Sequence, residues 1–98
     1  MKGVWEALSD GTRREILLLL KNRPHTAGEI SDQFLLSAAT VSHHLSVLKQ
    51  SGLIEGSKRK QTIIYSLNTD VFHELIREIA EFLEPEPQRP EKPARIKK

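Results

Sequence analysis

The chain has 98 residues, of which 38% are hydrophobic and 29% charged, and its formal net charge is +2. A chain this short supports one hydrophobic core, so we expect one domain. The longest apolar run, Ile16–Leu20, is far shorter than the roughly 18 residues of a membrane-spanning helix, and Met1 leads directly into a helical pattern without a secretory signal. The absence of cysteine excludes disulfides and thiolate chemistry. The cytoplasm is the expected compartment.

The charge is unevenly distributed along the chain. Residues 1–83 contain ten Lys or Arg and ten Asp or Glu. Within them, residues 37–61 carry a local net charge of +3 and residues 68–83 a local net charge of −3. One basic region can therefore face a polyanion while an acidic helix faces elsewhere.

Two helices are predicted at the start of the chain. Apolar residues within residues 4–8 mark a short first helix. Asp10 is the expected N-cap of a second helix, whose broad apolar face covers residues 16–20. This helix ends before Pro24, because proline cannot continue a helix.

A helix-turn-helix is predicted next, over residues 26–34 and 37–51. Thr26 begins the first of these helices in a capping box with the glutamate three residues on. Ser37 caps the second helix, and Gly52 supplies the left-handed residue that closes it.

A β-hairpin and a fifth helix follow. Leu53–Ile54 opens one strand, residues 62–67 form the second, and the polar residues 57–61 link them. Residues 68–70 cap a last amphipathic helix. Its apolar stripe consists of Phe72, Leu75, Ile76, Ile79 and Leu83.

The composition changes after Leu83. Residues 84–98 contain four of the five prolines and no aromatic residue. Such a segment cannot bury enough apolar surface to offset the entropy lost on ordering. We therefore predict a folded domain over residues 1–83 and a disordered tail over residues 84–98.

The second helix of the predicted helix-turn-helix has the properties of a DNA-reading helix. Val41, Leu45 and Leu48 form its inward stripe, so a rotation of about 100° per residue turns other positions outward. The outward positions are Ala39, His43, Ser46 and Gln50, with Thr40 and Ser42 beside them. No acidic residue lies between Ser37 and Gln50, whereas an ordinary surface helix usually carries Glu or Asp. These features favour insertion into the major groove, which is about 12 Å wide.

Three consecutive cations, Lys58, Arg59 and Lys60, lie at the tip of the predicted hairpin. They suit contact with phosphates or with the minor groove, and a solvated basic loop is the alternative. Lys49 and the pair Arg13–Arg14 are weaker candidates for backbone contact, and the pair equally suits an ordinary helix surface. The complete set of candidate DNA-binding residues is Ser37, Ala39, Thr40, Ser42, His43, Ser46, Lys49, Lys58, Arg59, Lys60 and Gln61.

Three segments together resemble the arsenic-repressor (ArsR) family of regulators. They are Ala7–Leu17 (ALSDGTRREIL), Thr40–Leu48 (TVSHHLSVL) and Ile64–Leu67 (IYSL), in the order and spacing of that family. The resemblance extends over roughly residues 4–83. It implies a winged helix-turn-helix, mainly α with a β-hairpin wing, in which four helices, two strands and a fifth helix follow one another. It also implies that Ser42 and His43 contact DNA.

The chain departs from the family pattern at several positions. Gly11 stands where the family usually has proline, and Ala38 and Ala39 match positions that are often more polar. The wing tip, Lys58–Gln61, lacks the usual glycine, so we expect a hairpin turn that is looser or differently shaped.

The resemblance implies a dimer in which the first and last helices form the interface. Their apolar residues are also too extensive to be left exposed on a small domain. The predicted interface consists of Val4, Trp5, Leu8, Phe72, Leu75, Ile76, Ile79 and Leu83.

Neither metal-sensing site of the family is predicted in this chain. One site would require cysteines where Thr26 and Gly28 stand. The other site would begin at Asp70 and His73, but no histidine follows to complete it. No cofactor is expected.

Catalysis is not predicted either. Ser42, His43 and His44 are adjacent on a helix and point apart, so they cannot form a nucleophile–base pair. No glycine-rich phosphate loop is present. We expect His44 to be partly packed at the edge of the buried face, and His25 to lie in a loop before a helix cap.

The sequence thus predicts a DNA-binding transcriptional repressor that binds an inverted-repeat operator as a homodimer and regulates its own operon. Two alternatives stay open: a winged-helix module that assembles proteins, and a regulator that senses an organic ligand at the dimer interface. The missing metal ligands also suggest a membrane-bound or other protein anti-repressor as the partner that releases the DNA.

Overall fold

The computed structural model describes residues 3–85 as five α-helices and a three-stranded antiparallel sheet. The elements are α1 (Val4–Leu8), α2 (Gly11–Asn22), β1 (His25–Thr26), α3 (Ala27–Phe34), α4 (Ala38–Ser51), β2 (Ile54–Arg59), β3 (Thr62–Leu67) and α5 (Thr69–Ala80). The predicted architecture, mainly α with a β-hairpin wing, is confirmed. Within residues 3–85, no helix has the length and apolar character required to cross a membrane. Most of the predicted tail, residues 86–98, lies outside the described residues.

The helix boundaries follow the predicted local signals. Asp10, Thr26 and Ser37 each accept a hydrogen bond from the backbone N–H three residues on, and Thr26 forms the complete capping box. Gly52 closes α4 with a φ of 87°, in the left-handed region that glycine adopts without steric cost. These four caps fix the ends of the helices that surround the candidate site.

The core lies between the first four helices and one side of the sheet. Val41, Leu45 and Leu48 are buried, as their spacing predicted, and hold α4 against the other helices. Only Leu75 of α5 belongs to the core, so most of the apolar stripe of α5 is left at the surface. The full set of buried apolar residues is Val4, Ala7, Ile16, Leu17, Leu20, Ile30, Val41, Leu45, Leu48, Leu53, Ile54 and Leu75.

The strand β1 was not predicted, and it changes the environment of His25. This two-residue strand pairs with β3, placing His25 opposite Tyr65 and giving the sheet the order β1-β3-β2. His25 is buried, and its Nδ1 lies 2.7 Å from the carbonyl oxygen of Arg23, to which it donates a hydrogen bond. The prediction that His25 lies in a loop is therefore wrong, because two residues are too few to show the alternation of a strand.

The wing turn is tighter than predicted. β2 and β3 remain paired as far as Arg59 and Thr62, so only Lys60 and Gln61 form the turn. Lys60 takes a φ of 57°, the left-handed conformation for which glycine is usually needed. Of the two predicted alternatives, a looser turn or a differently shaped one, the looser turn is wrong, because a lysine can adopt this conformation at a modest energetic cost.

The turn between α3 and α4 contains a second non-glycine residue in the left-handed region. Leu35 has a φ of 55°, and 91% of its surface is exposed. We expect Leu35→Gly to raise the free energy of unfolding by about 1 kcal/mol, because glycine removes the steric cost of this backbone conformation. Urea unfolding at a fixed protein concentration measures the effect. Leu35→Ala is the matched control, since it shortens the side chain but keeps Cβ. An equal gain in stability from alanine would contradict this explanation.

Candidate DNA-binding surface

The turn of the helix-turn-helix is fixed by hydrogen bonds on both sides of Leu36. The backbone N–H of Leu36 donates to the carbonyl oxygen of Ser31 at 3.2 Å, and the hydroxyl of Ser31 donates to the carbonyl oxygen of Leu36 at 2.5 Å. Together with the buried stripe of α4, these bonds set the direction in which α4 leaves the turn. The direction of α4 is consequently set at its first turn.

The predicted outer face of α4 is exposed throughout. Ser37 and Thr40 are engaged with each other, because the Ser37 hydroxyl donates to Thr40 Oγ1 at 2.9 Å and accepts from the Thr40 backbone N–H at 3.1 Å. Ser42, His43 and Ser46 therefore remain the exposed side-chain donors in the middle of the face. The exposed positions of this face are Ser37, Ala39, Thr40, Ser42, His43, Ser46, Lys49 and Gln50.

The wing places its cations on a rigid hairpin. Lys58, Arg59, Lys60 and Gln61 are all exposed, and the strand pairing continues to the base of the turn. In the described part of the chain, a salt bridge joins the exposed side chains of Arg23 and Glu29. None of the three wing cations is paired with a carboxylate in that part of the chain. Their charge is available to a polyanion.

Gly56 is a residue of the wing that sequence reasoning did not identify. A Cβ atom at this position would lie 2.9 Å from Cγ2 of Ile63 and 3.4 Å from Cε1 of Tyr65. Two side chains of β3 thus occupy the space above Gly56. A residue with a Cβ atom at this position would collide with them, so only glycine fits. The sequence signal is an isolated glycine inside a strand pattern.

Arg13 is buried, with 8% of its surface exposed, and it is not available to phosphates. Its Nε donates to the carbonyl oxygen of Ala7 at 2.9 Å, and its Nη2 donates to that of Glu6 at 3.1 Å. The side chain thus donates to two carbonyl groups at the end of α1, of which that of Glu6 also accepts from the backbone N–H and the hydroxyl of Ser9. The interpretation of Arg13 as a DNA-backbone or surface cation is wrong for this reason, whereas Arg14 is exposed and donates to the carbonyl oxygen of Leu8.

His44 is partly buried, as predicted, and it faces Arg13. Nη1 of Arg13 lies 3.2 Å from Nδ1 of His44, across 31 positions of sequence. The N-cap Asp10 belongs to the same cluster: the pKa of its carboxyl is lowered, chiefly because the backbone N–H of Arg13 donates to it. The positive charge of Arg13 acts in the same direction.

The residues predicted to form a dimer interface divide into three groups: buried, exposed and partly buried. Val4 is completely buried and Leu75 almost so, and both belong to the core of the single chain. They have no surface left for a partner, so we remove them from the interface. The exposed apolar residues of α1 and of the α5 region are Trp5, Ile76, Ile79, Phe82 and Leu83, of which Phe82 was not predicted.

The remaining two predicted interface residues, Leu8 and Phe72, are partly buried. They line an apolar groove of about 500 Å³, which also includes the exposed side chain of Leu18 on α2. α5 ends at Ala80, and one further turn follows, closed by a hydrogen bond from the Glu84 backbone N–H to the Ala80 carbonyl oxygen. Phe82 and Leu83 lie in this turn.

The described residues contain no candidate metal site. Across residues 3–85, no group of three or more His, Asp or Glu side chains is arranged to hold a metal ion. Asp70 and His73 are exposed at the start of α5.

Comparison with known proteins places this geometry in a family. The family model described as "Bacterial regulatory protein, arsR family" matches residues 10–56, from the cap of α2 into β2. The transcriptional repressor SdpR of Bacillus subtilis is 45% identical over 83 residues, which cover 85% of this chain and 92% of that protein.

Solved structures share the fold over most of the chain. An ArsR-like transcriptional regulator from Rhodococcus sp. RHA1 superposes with a TM-score of 0.77 at 29% identity, covering 82% of this chain and 73% of that chain. A homodimeric winged helix-turn-helix DNA-binding domain from Mycobacterium bovis gives a TM-score of 0.68 at 28% identity, covering 89% of this chain and 84% of that chain. The present chain therefore belongs to the ArsR family, whose members are winged helix-turn-helix transcriptional regulators and not enzymes.

Proposed function

We propose that this chain is a homodimeric repressor that binds an inverted-repeat operator, regulates its own operon and acts in the cytoplasm. The observation that carries the proposal is the outer face of α4, which is exposed and free of acidic residues from Ser37 to Gln50. A face of this kind can approach phosphates and present hydrogen-bonding side chains to base edges. The three exposed cations of the wing would add contacts with the DNA backbone.

Dimerisation would bring two such faces together. The apolar residues Trp5, Ile76, Ile79, Phe82 and Leu83 are exposed on the single chain, which favours their burial against a second copy. The M. bovis relative described above is homodimeric. Two-fold symmetry would set the two α4 helices in successive major grooves, about 34 Å apart, so the operator should be an inverted repeat.

An electrophoretic shift with the intergenic DNA upstream of the chain's own gene tests the proposal directly. We expect a discrete complex that survives competitor DNA, together with a footprint that covers two symmetric half-sites. A reporter fused to the same DNA should be expressed less when the protein is present. Equal affinity for this DNA and for unrelated DNA would contradict operator binding, and increased reporter expression would contradict repression.

His43 is the candidate base-reading side chain with the clearest chemistry. His43→Ala should weaken specific operator binding by about 1–3 kcal/mol, the range for losing a good contact with a base edge. Fluorescence anisotropy with operator and with scrambled duplex measures the change. His73→Ala, at an exposed histidine of α5, is the matched control and should leave affinity unaltered. If His43→Ala binds the operator as tightly as the wild type, His43 does not read a base.

A further inference from the structure

Arg13 lies where α1, α2 and α4 meet. Its guanidinium donates to two carbonyl groups of α1, at Glu6 and Ala7, and its third nitrogen lies 3.2 Å from Nδ1 of His44 on α4. Within residues 3–85, the Arg13–His44 contact is the one hydrogen bond that joins a side chain of α4 to a side chain of another helix. One buried side chain therefore joins the end of α1 to the middle of α4.

The chemistry of the two groups fixes the state of His44. A guanidinium has five N–H donors and no acceptor, so Nδ1 of His44 must accept and cannot carry a proton. The imidazole is then neutral, with its hydrogen on Nε2. Its ring lies beside that of His43, with a distance of 5.7 Å between centroids. Arg13 thus contacts His44, which lies next to the candidate base-reading residue His43.

The Ser31–Leu36 hydrogen bonds set the direction of α4 at its start, but the contacts along the helix define its rotation about its own axis less strictly. Val41, Leu45 and Leu48 anchor it through apolar packing, which is non-directional. A hydrogen bond, by contrast, requires a donor–acceptor distance and an angle within narrow limits. The Arg13–His44 bond is therefore suited to select one rotation of α4 about its own axis.

We propose that Arg13 is a positioning residue for operator recognition, which acts through Nδ1 of His44 to orient the outer face of α4. The same side chain ties that orientation to α1, the helix that carries Trp5 of the proposed dimer surface. The proposal rests on the proposed function, since it assumes that α4 reads the operator. It assigns Arg13 no contact with DNA.

Substitutions at His44 test the proposal without disturbing the bonds from Arg13 to α1. His44→Asn places an amide oxygen where Nδ1 lies, so it keeps the acceptor, and we expect specific affinity within about threefold of the wild type. His44→Leu removes the acceptor, and we expect a loss of about tenfold, because a hydrogen bond to a charged group is broken. Affinity for scrambled DNA should be unchanged in both, since the wing cations are untouched. His44→Gln, whose amide lies beyond the Nδ1 position, should behave like leucine and replaces it if the leucine variant does not fold.

Three results would overturn the proposal. Asparagine and leucine variants that lose equal affinity would indicate that the imidazole itself contacts DNA. A leucine variant with unchanged specific affinity would show that the bond does not matter, and equal losses on operator and scrambled DNA would point to general destabilisation.

A separate measurement distinguishes failure of this proposal from failure of the proposed function. If the wild type shows no specific binding, imidazole ¹⁵N shifts of the free protein still report the tautomer of His44. A proton on Nε2 supports the bond with Arg13, and a proton on Nδ1 overturns it. His43, which is exposed, serves as the internal reference for an unconstrained ring.

Discussion

Ile76→Glu is expected to convert the proposed dimer into a monomer and to lower operator affinity by roughly 100-fold or more. The side chain of Ile76 is 61% exposed on α5 and belongs to the apolar residues assigned to the partner. A glutamate there would bury a charge without a counterion, and two-fold symmetry would impose this cost twice. Light scattering coupled to gel filtration measures the mass, and an operator shift measures the affinity.

Arg77→Gln is the matched control for this substitution. It lowers the net charge by one, as Ile76→Glu does, on the neighbouring residue of the same helix, where the side chain is also exposed. We expect this variant to remain dimeric and to bind the operator normally. A dimeric Ile76→Glu protein at micromolar concentration would show that α5 does not form the interface.

Replacing Lys58, Arg59 and Lys60 together with alanine should weaken binding to all DNA sequences and flatten its dependence on salt. Each cation that contacts a phosphate contributes about 0.9 to the slope of log K against log salt concentration, so a dimer would lose up to about 5 from that slope. Affinity measured between 50 and 200 mM salt, on operator and scrambled DNA, gives both slopes.

The control for the wing substitution removes cations elsewhere on the chain. Lys21→Ala combined with Arg77→Ala deletes two exposed positive charges outside α4 and the wing. Its salt slope should match that of the wild type. If the wing variant also keeps the wild-type slope, the wing does not contact phosphates.

Local signals in the sequence were sufficient for the elements that build the candidate site. Asp10, Thr26 and Ser37 were identified as caps because a cap depends on residues within one helical turn. The exposed and buried faces of α4 followed from its periodicity. The order of helices and hairpin was predictable for the same reason.

Long-range contacts were not predictable from the same patterns. Arg13 resembles a surface cation in sequence because its acceptors are two backbone carbonyls and a histidine 31 positions away. His25 was misplaced because its partner strand, β3, lies in the second half of the chain.

The apolar residues show a further limit of periodicity. Val4 and Trp5 were both assigned to the predicted dimer interface, yet Val4 is buried in the core and Trp5 is exposed. Leu75 and Ile76 differ in the same way on α5. A hydrophobic pattern indicates which side chains are buried away from water. It does not indicate whether a side chain is buried by its own chain or by a second one.

The short strand β1 has a mechanical consequence for DNA recognition. Its hydrogen bonds join the residues that begin α3 directly to β3, the strand that carries one side of the wing. The helix-turn-helix and the wing are thereby held at a fixed distance and angle from each other. We expect that α4 in the major groove and the wing on the flanking DNA can shift little relative to each other. The spacing between the core and the flanks of each half-site should therefore affect affinity as much as the bases do.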